Sequence, residues 1–460
     1  MTRPALTKLS VGEKIGYGLG DTASNIFFQF VNIFLLYYYT DVFGLSPAVV
    51  GTLFIVARFW DAVNDPLMGA IADRTNTRFG KYRPYLLWMA VPFGVFGYLA
   101  FANPDFSDNG KLIYAYVTYI GLMMAYTAIN VPYSALMGVM TPSSDERTSL
   151  SSYRFVGAFS GMLIISLGVR PLVRLLGDGD DGTGFKLTMA LLATVAVVLF
   201  LITFATTRER LTPQSNEGQS IRRDLKFLFM NRPWIVMVIA AILTLSNVAV
   251  RGAVTNHFFK YFVGDDGTPV FLFLDKTSLI LSSGAIAFIV GIFFTTTLSK
   301  RFGKRNALLG LTILNGLTLV GFYFIPADQY GTMLAVNALG NLLAGPTPAL
   351  VWSIYTDVVD YGEWKFGRRT TGLAFSAAMF AQKMGLTIGG GVSGWLLALY
   401  GFIANAQQTE AALDGIRLMF SILPGALALA NGLVLLFYPL TDAKVKTIEA
   451  ELADRRGAAN

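Results

Sequence analysis

Long apolar runs, separated by short connections that carry most of the charge, set the pattern of this chain. A helix needs about 20 apolar residues to cross a bilayer. Twelve stretches meet that need, at roughly 15–39, 46–71, 84–102, 111–139, 150–172, 185–206, 232–256, 277–299, 305–325, 330–353, 370–400 and 414–439. Pro and Gly recur inside the runs, as membrane helices allow when neighbouring helices re-satisfy the backbone. The pattern predicts an all-α membrane protein with twelve transmembrane helices.

Charge in the connections predicts orientation. Arg74, Arg78, Lys81 and Arg83 follow the second stretch. Lys300, Arg301, Lys304 and Arg305 follow the eighth, and Lys365, Arg368 and Arg369 the tenth. The long central connection holds Arg208, Arg210, Arg222, Arg223, Lys226 and Arg232. The alternate connections are acidic or neutral, with Asp105, Asp108, Asp178, Asp180, Asp181, Asp265, Asp266 and Asp328. Even-numbered helices therefore exit to the cytoplasm, and both termini are expected inside. Tyr37, Tyr38 and Tyr39 are expected to form an interfacial aromatic belt at the end of the first helix.

Composition supports this picture. The chain is 54% hydrophobic and 14% charged, with a mean hydropathy of +0.53, against about a quarter charged in a soluble protein. The net charge of +7 falls in the connections and reads as topology and anionic-lipid contact, not nucleic-acid binding. With no cysteine and one histidine, His257, thiol chemistry, disulfides and His/Cys metal sites are excluded. Residues 1–14 are polar and basic and the first apolar run is too long for a signal core, so no cleaved leader is expected.

An internal repeat divides the chain. Arg78-Phe79-Gly80-Lys81 recurs as Arg301-Phe302-Gly303-Lys304, 223 residues on, and Arg147-Thr148-Ser149 recurs loosely as Arg369-Thr370-Thr371. Two six-helix pseudo-symmetric halves, 1–206 and 232–440, follow, joined by a cytoplasmic linker at 207–231 and ending in a tail at 441–460. This is the major facilitator architecture, whose substrate cavity lies near the bilayer midplane. The repeat is asymmetric in charge: Asp61 falls on Gly284, Asp65 on Phe288, and Arg154 near Ser376. A cation site would belong mainly to the first half.

The ionisable residues within the apolar stretches are few: Asp21, Arg58, Asp61, Asp65, Arg154, Arg251 and Lys383. A charge at mid-bilayer costs at least ~2.5 kcal/mol, so such residues are functional candidates. Asp61 and Asp65 lie about 40° apart on one helical face. Arg58 shares that sector and balances one of the two charges. The residual −1 suits a monovalent cation, Na⁺, Li⁺ or H⁺, held by hard carboxylate oxygens. Asn64 and Thr127 are neutral donors able to complete the shell, which leans towards Na⁺; a structural ion-pair cluster is the alternative. Asp21 and Arg154 suit a sugar, one accepting from hydroxyls and the other donating a rigid fork, or else form a salt bridge between the first and fifth helices. Lys383 is the only charge in the eleventh stretch and is expected to face the cavity and balance the acids. Arg251, near the outer end of the seventh stretch, could snorkel to the interface and is assigned no role. The end-of-helix groups Asp73, Arg78, Asp145, Glu146, Arg147, Asp357, Asp360, Glu363 and Arg369 are candidates for pairing across the halves.

The run Asp61-Ala62-Val63-Asn64-Asp65-Pro66 with Gly69, followed by Arg78-Phe79-Gly80-Lys81-Tyr82-Arg83-Pro84, resembles the glycoside–pentoside–hexuronide:cation symporters, the melibiose permease-like carriers of the major facilitator superfamily. Tyr17-Gly18-Leu19-Gly20-Asp21, Asn130-Val131-Pro132-Tyr133 and Asp357-Val358-Val359-Asp360-Tyr361-Gly362-Glu363 agree with it. The resemblance implies a cation site at Asp61 and Asp65 with Asn64 and Thr127 beside it. It also implies sugar contact by Asp21, Arg154 and residue 130, and a cavity role for Lys383. Asn130 stands where melibiose permease has a sugar-binding aspartate, Ser134 where it has a tryptophan, and Met379 replaces a polar residue. The pocket is therefore less acidic and lacks a stacking surface, which favours another glycoside, a pentoside or a uronide.

The expected function is cation-coupled symport of a sugar by alternating access in the bacterial inner membrane. The coupling ion is the only cofactor, the bilayer is the surroundings, and the monomer is the working unit. An uncoupled facilitator or a drug exporter on the same scaffold is the alternative. An enzyme is not expected: no nucleophile–His pair and no phosphate-binding loop is present.

Overall fold

A computed structural model describes residues 8–141, 143–211, 228–367 and 371–457. Arg222, Arg223, Lys226, Arg368, Arg369 and Thr370 lie outside the described residues, as do the side chains of Asp145 and Thr148. Helices account for the regular structure; among the described residues the only extended pairings are isolated bridges, Thr77 with Gly80 and Phe271 with Leu274.

The helices in the first half of the sequence are α1 (Val11–Tyr37), α2 (Pro47–Arg74), α3 (Arg83–Trp88), α4 (Ala90–Ala100), α5 (Asp108–Met140), α6 (Ser144–Gly177) and α7 (Asp181–Thr206). Those in the second are α8 (Arg232–His257), α9 (Lys276–Ile292), α10 (Thr295–Phe302), α11 (Lys304–Phe322), α12 (Tyr330–Ala344), α13 (Thr347–Phe366), α14 (Thr371–Leu399), α15 (Glu410–Arg417), α16 (Leu423–Leu436) and the tail helix α17 (Asp442–Gly457). Each of the twelve expected stretches is helical. By length and apolarity alone, 8 described helices qualify as spans, or 9 when α9 and α10, bent by 51°, count as one. The second, third and eleventh passages do not qualify. Arg58, Asp61 and Asp65 dilute the 28-residue α2, and the third passage breaks at Met89 into α3 and α4.

The chain forms two compact units. The first holds Met1–Ser215 together with Asp265–Ser282 and Leu397–Gln408; the second holds Asn216–Gly264, Ser283–Leu396 and Thr409–Asn460. In the first unit α1 packs most extensively on α6 and α7. Gly18 and Gly157 set the α1–α6 approach: a Cβ on Gly18 would lie 2.7 Å from the Tyr153 carbonyl oxygen, and one on Gly157 would overlap that of Gly18.

Tyr38 and Tyr39 do not form an interfacial belt. Both are fully buried, Tyr38 against Phe101 at 4.9 Å and Tyr39 against Phe43 at 5.9 Å between ring centroids. Their aromatic rings fill the first unit's core.

The segment Asp265–Ser282 is fixed into the first unit by charge. Arg170 on α6 meets Asp275 at 2.6 Å and Asp265 at 3.5 Å. Both carboxylates are buried. Asp265 also accepts from the Thr277 amide and hydroxyl, Asp275 from the Ser278 amide at 2.8 Å. Charges this buried persist only when paired and hydrogen-bonded. Leu397–Gln408 is anchored by Asn405, whose Nδ2 donates to the Asp41 carbonyl at 2.6 Å.

In the second unit, Trp234, Tyr355, Val358 and Tyr438 form the core with Val445, Ile448 and Leu452 of α17. Those last three follow helical spacing, so the tail helix buries one stripe. Arg251 does not reach for an interface. It donates to Asn337 Oδ1 at 3.1 Å and lies 4.4 Å from the Phe420 ring centroid.

The repeat is visible in three dimensions. A π-helical turn follows α1 at Tyr38–Val42 and α8 at Phe258–Phe262. Arg83 Nη2 donates to the Phe204 carbonyl at 2.8 Å, and Arg305 Nη2 to that of Leu436 at 2.9 Å. Three of the end-of-helix acids find partners inside their own unit. Asp73 accepts from the Tyr82 hydroxyl, Glu146 pairs with Lys14, and Asp357 with Lys304.

Candidate cation and sugar site

The site is built around α5. Pro47 starts α2 at a position where its missing amide is harmless, and α2 then runs without interruption past Pro66. Asp61 on α2 is only 7% exposed, Thr127 on α5 only 1%. The Thr127 hydroxyl oxygen lies 2.5 Å from Asp61 Oδ1 and 2.9 Å from Asp65 Oδ1.

A threonine hydroxyl has one proton. It donates to one carboxylate; the second carboxylate oxygen then faces an oxygen lone pair at hydrogen-bond distance. Two carboxylates from successive turns of α2 thus meet at one hydroxyl of α5. Asn64 is half-buried on the same helix between the two acids. Among the described residues no group of three or more His, Cys, Asp or Glu side chains is placed to hold a metal ion. Two carboxylates completed by neutral oxygens form a set suited to a monovalent ion. Arg58 lies half-buried one turn before Asp61, and its Nε makes no hydrogen bond.

The sugar candidates also come together. Arg154 Nε donates to Asp21 Oδ2 at 2.5 Å and Nη2 to Oδ1 at 3.4 Å. Tyr17 and Tyr133 support this pair: their rings stack at 4.7 Å, and each hydroxyl donates to the other's carbonyl, at 3.1 and 2.6 Å. The Arg154 guanidinium lies 5.1 Å from the Tyr133 centroid, within cation–π range. Pairing does not exhaust Arg154. With its side chain 27% exposed against 13% for Asp21, it keeps donors for a ligand.

Asn130 Oδ1 accepts from Ser24 at 2.7 Å, and its Nδ2 donates to the Tyr126 carbonyl at 3.0 Å. Asn130 therefore ties α5 to α1 and retains one amide hydrogen. One face of α5 thus carries Thr127 beside Asp61 and Asp65, and Tyr133 beside the Asp21–Arg154 pair. Lys383 stands half-buried on α14 in the second unit, whereas both acid groups belong to the first.

Sequence reasoning assigned no role to Tyr17, Tyr133 or Ser24. A signal was present: Tyr17 is one turn before Asp21, and Tyr133 is one turn after Asn130.

The family described as MFS/sugar transport protein matches residues 16–442. An Escherichia coli protein named for glycoside/cation symport, YagG, is 40% identical over 98% of this chain and 97% of its own. The isoprimeverose transporter of Lactiplantibacillus pentosus is 37% identical over 97% of this chain and 92% of its own. The glucuronide carrier protein homolog of Escherichia coli is 32% identical over 96% and 95%. The crystal structure of the nucleoside transporter NupG shares the fold at 13% identity, with a TM-score of 0.62 over 93% of this chain and 99% of that one. All are transporters rather than enzymes. This chain belongs to the glycoside–pentoside–hexuronide symporter family of the major facilitator superfamily, as a multi-pass membrane protein of sugar transport.

Proposed function

We propose that the chain is a secondary active transporter that carries a sugar or glycoside together with a monovalent cation, Na⁺ in preference to H⁺, by alternating access. It works as a monomer in the bacterial inner membrane, with both termini cytoplasmic. The observation that carries this reading is the single Thr127 hydroxyl set between Asp61 and Asp65. Na⁺ among these oxygens satisfies both carboxylates and leaves the hydroxyl proton free to donate elsewhere. Relatives named for glycoside symport, isoprimeverose transport and glucuronide transport support a sugar as the other cargo.

Asp21 and Arg154 hold the sugar, the carboxylate accepting from hydroxyls and the guanidinium donating. Tyr17 and Tyr133 keep that pair oriented. Both sites sit on α5, so a cation that draws Asp61, Asp65 and Thr127 together also fixes the helix presenting Asn130 and Tyr133. Each ligand then raises the affinity of the other, as linkage requires. Lys383 and Arg58 balance charge as the loaded carrier reorients.

The test is uptake of labelled glycosides, pentosides and uronides into proteoliposomes under an imposed Na⁺ or pH gradient. Accumulation driven by the Na⁺ gradient and lost in Asp61→Asn is the expected result. Flux that equilibrates and ignores both gradients would make the acid pair structural and the protein a facilitator.

A further inference from the structure

The connection after the π-helical turn differs between the two halves of the sequence. In the first, four residues, 43–46, join the turn ending at Val42 to α2. In the second, thirteen residues, 263–275, join the turn ending at Phe262 to α9. Four residues suffice for the join, so the rest of the longer connection has another task.

That connection closes into a hairpin. Val270 and Phe271 donate their amides to the Leu274 carbonyl at 2.8 and 3.2 Å, and the Leu274 amide donates to the Phe271 carbonyl at 2.9 Å. Leu272 and Phe273 form the tip. The base is held firmly. Arg174, one turn beyond Arg170 on α6, donates to the carbonyls of Gly267 and Phe273. The Asp265 carboxylate, paired with Arg170, accepts from the Gly267 amide at 3.2 Å.

The tip suits neither water nor its own backbone. Val270, Phe271, Leu272 and Phe273 are all exposed, Leu272 by 76%. Leu272 has a φ of +54°, the left-handed region, where a turn in water takes Gly, Asn or Asp. Four consecutive exposed apolar residues in a connection mark contact with something apolar. Four side chains fall well short of the ~800 Å² per partner that a stable protein interface buries. A bilayer sets no such minimum for a chain already held in it by its spans.

The adjoining helix supplies the depth. α6 contributes the apolar span Ser149–Gly177, 29 residues long. At ~1.5 Å per residue it reaches about 43 Å, the thickness of a bilayer with its headgroups. Its last turn, with Arg174 and the exposed Leu175, therefore lies among the headgroups. Arg174 is exposed at the hairpin's base, where a guanidinium can meet lipid phosphate, and the apolar tip beside it is at the acyl boundary.

We propose that the hairpin at 270–273 inserts into the leaflet at the C-terminal end of α6, with its Phe and Leu side chains among the upper acyl chains and Arg174 on a lipid phosphate. This contact belongs to a connection, apart from the cation and sugar groups, and its test does not depend on how those are read.

The chain has no cysteine, so Leu272→Cys offers one thiol for a nitroxide label. The full-length chain is reconstituted in vesicles of phosphatidylethanolamine and phosphatidylglycerol. Collisions of the label with oxygen, which concentrates in acyl chains, are compared with collisions with a water-soluble nickel chelate. At residue 272 oxygen contact should dominate and nickel contact be lost. The same label on Thr268→Cys, exposed in the same connection, should meet nickel freely. Phe271→Asp and Phe273→Asp, added to the labelled L272C chain, should draw the tip out and restore nickel contact. Nickel contact at 272 equal to that at 268 overturns the proposal. So does a label at 272 shielded from both reagents, which would put a protein surface over the tip. A label that stays in the acyl chains with both aspartates present also overturns it, because the nitroxide itself would then be the cause of insertion.

Discussion

The Glu209 carboxylate occupies the space that a side chain on residue 80 would need. Gly80 has a φ of +107°, and any Cβ built there overlaps the carboxylate. The carboxylate accepts from the amides of Lys81, Tyr82 and Arg83 at 2.9, 2.7 and 2.9 Å. It caps α3 where the helix dipole favours an anion. The second half repeats the device: Gly303 has a φ of +80°, and Asp442 accepts from the Lys304 amide at 3.2 Å. The recurring Arg-Phe-Gly-Lys motif is thus a socket for a distant acid. Gly80→Ala should lower stability by about 2–4 kcal/mol, from backbone strain and displaced charge-assisted hydrogen bonds. Glu209→Gln should lose less. Thermal unfolding in detergent checks both, and an unchanged melting temperature for Gly80→Ala would refute the socket.

Thr127→Val keeps the shape of the side chain and removes the oxygen between the two acids. The apparent affinity for the coupling cation should fall about tenfold, the loss of one charge-assisted contact, while downhill sugar exchange persists. Cation-activation curves of uptake test this, and unaltered curves would place the cation elsewhere.

Arg154→Lys keeps the charge but loses the fork on Asp21 and the contact with the tyrosine ring. Sugar affinity should drop by at least about tenfold, with cation affinity changed less. Arg154→Gln should be worse, because Asp21 is left buried without a partner, a loss of about 3–5 kcal/mol in stability. Sugar binding by calorimetry, read beside the melting temperature, separates lost contacts from lost fold.

Glu146 gives a pH signature outside the membrane. The Lys14 ammonium, hydrogen-bonded to it, holds its carboxyl below the usual glutamate range, with help from the Leu9 amide. A carboxylate depressed in the folded state contributes stability in full above its unfolded value, about 4.3, and loses it as pH falls through the folded one. The difference in melting temperature between wild type and Glu146→Gln should therefore be constant at neutral pH and shrink on acidification below about 4.3. A gap that persists at low pH would mean that charge is not its cause.

Much of this site was legible because charge is rare in apolar helices. Asp61 and Asp65 could be grouped from their spacing, and Asp21 with Arg154 from opposite charge, while Thr127, on another helix, was put beside the acids by the family resemblance; the structure places each of these side chains within hydrogen-bond distance. The errors came from residues whose apolar surroundings look alike from both sides. Hydropathy cannot distinguish lipid from a protein core, so Tyr38 and Tyr39 were expected at an interface and lie buried. Arg251, near the end of its helix, was expected to extend outward and instead bonds Asn337. Glu209 passed unnoticed among the basic residues of its connection, because its partners are backbone amides, which sequence does not display.

The clamp of Arg170 on Asp265 and Asp275 bears on how this polypeptide can be divided. A gene cut at the linker would encode a fragment with the guanidinium of Arg170 but neither of its acids. Two of the segments from which the first unit is built, Asp265–Ser282 and Leu397–Gln408, would reside on the other fragment. The covalent order of the chain and the order in which its parts become complete are therefore different. The salt bridges of Arg170 are completed only once Asp265 and Asp275, translated well after α7, are present.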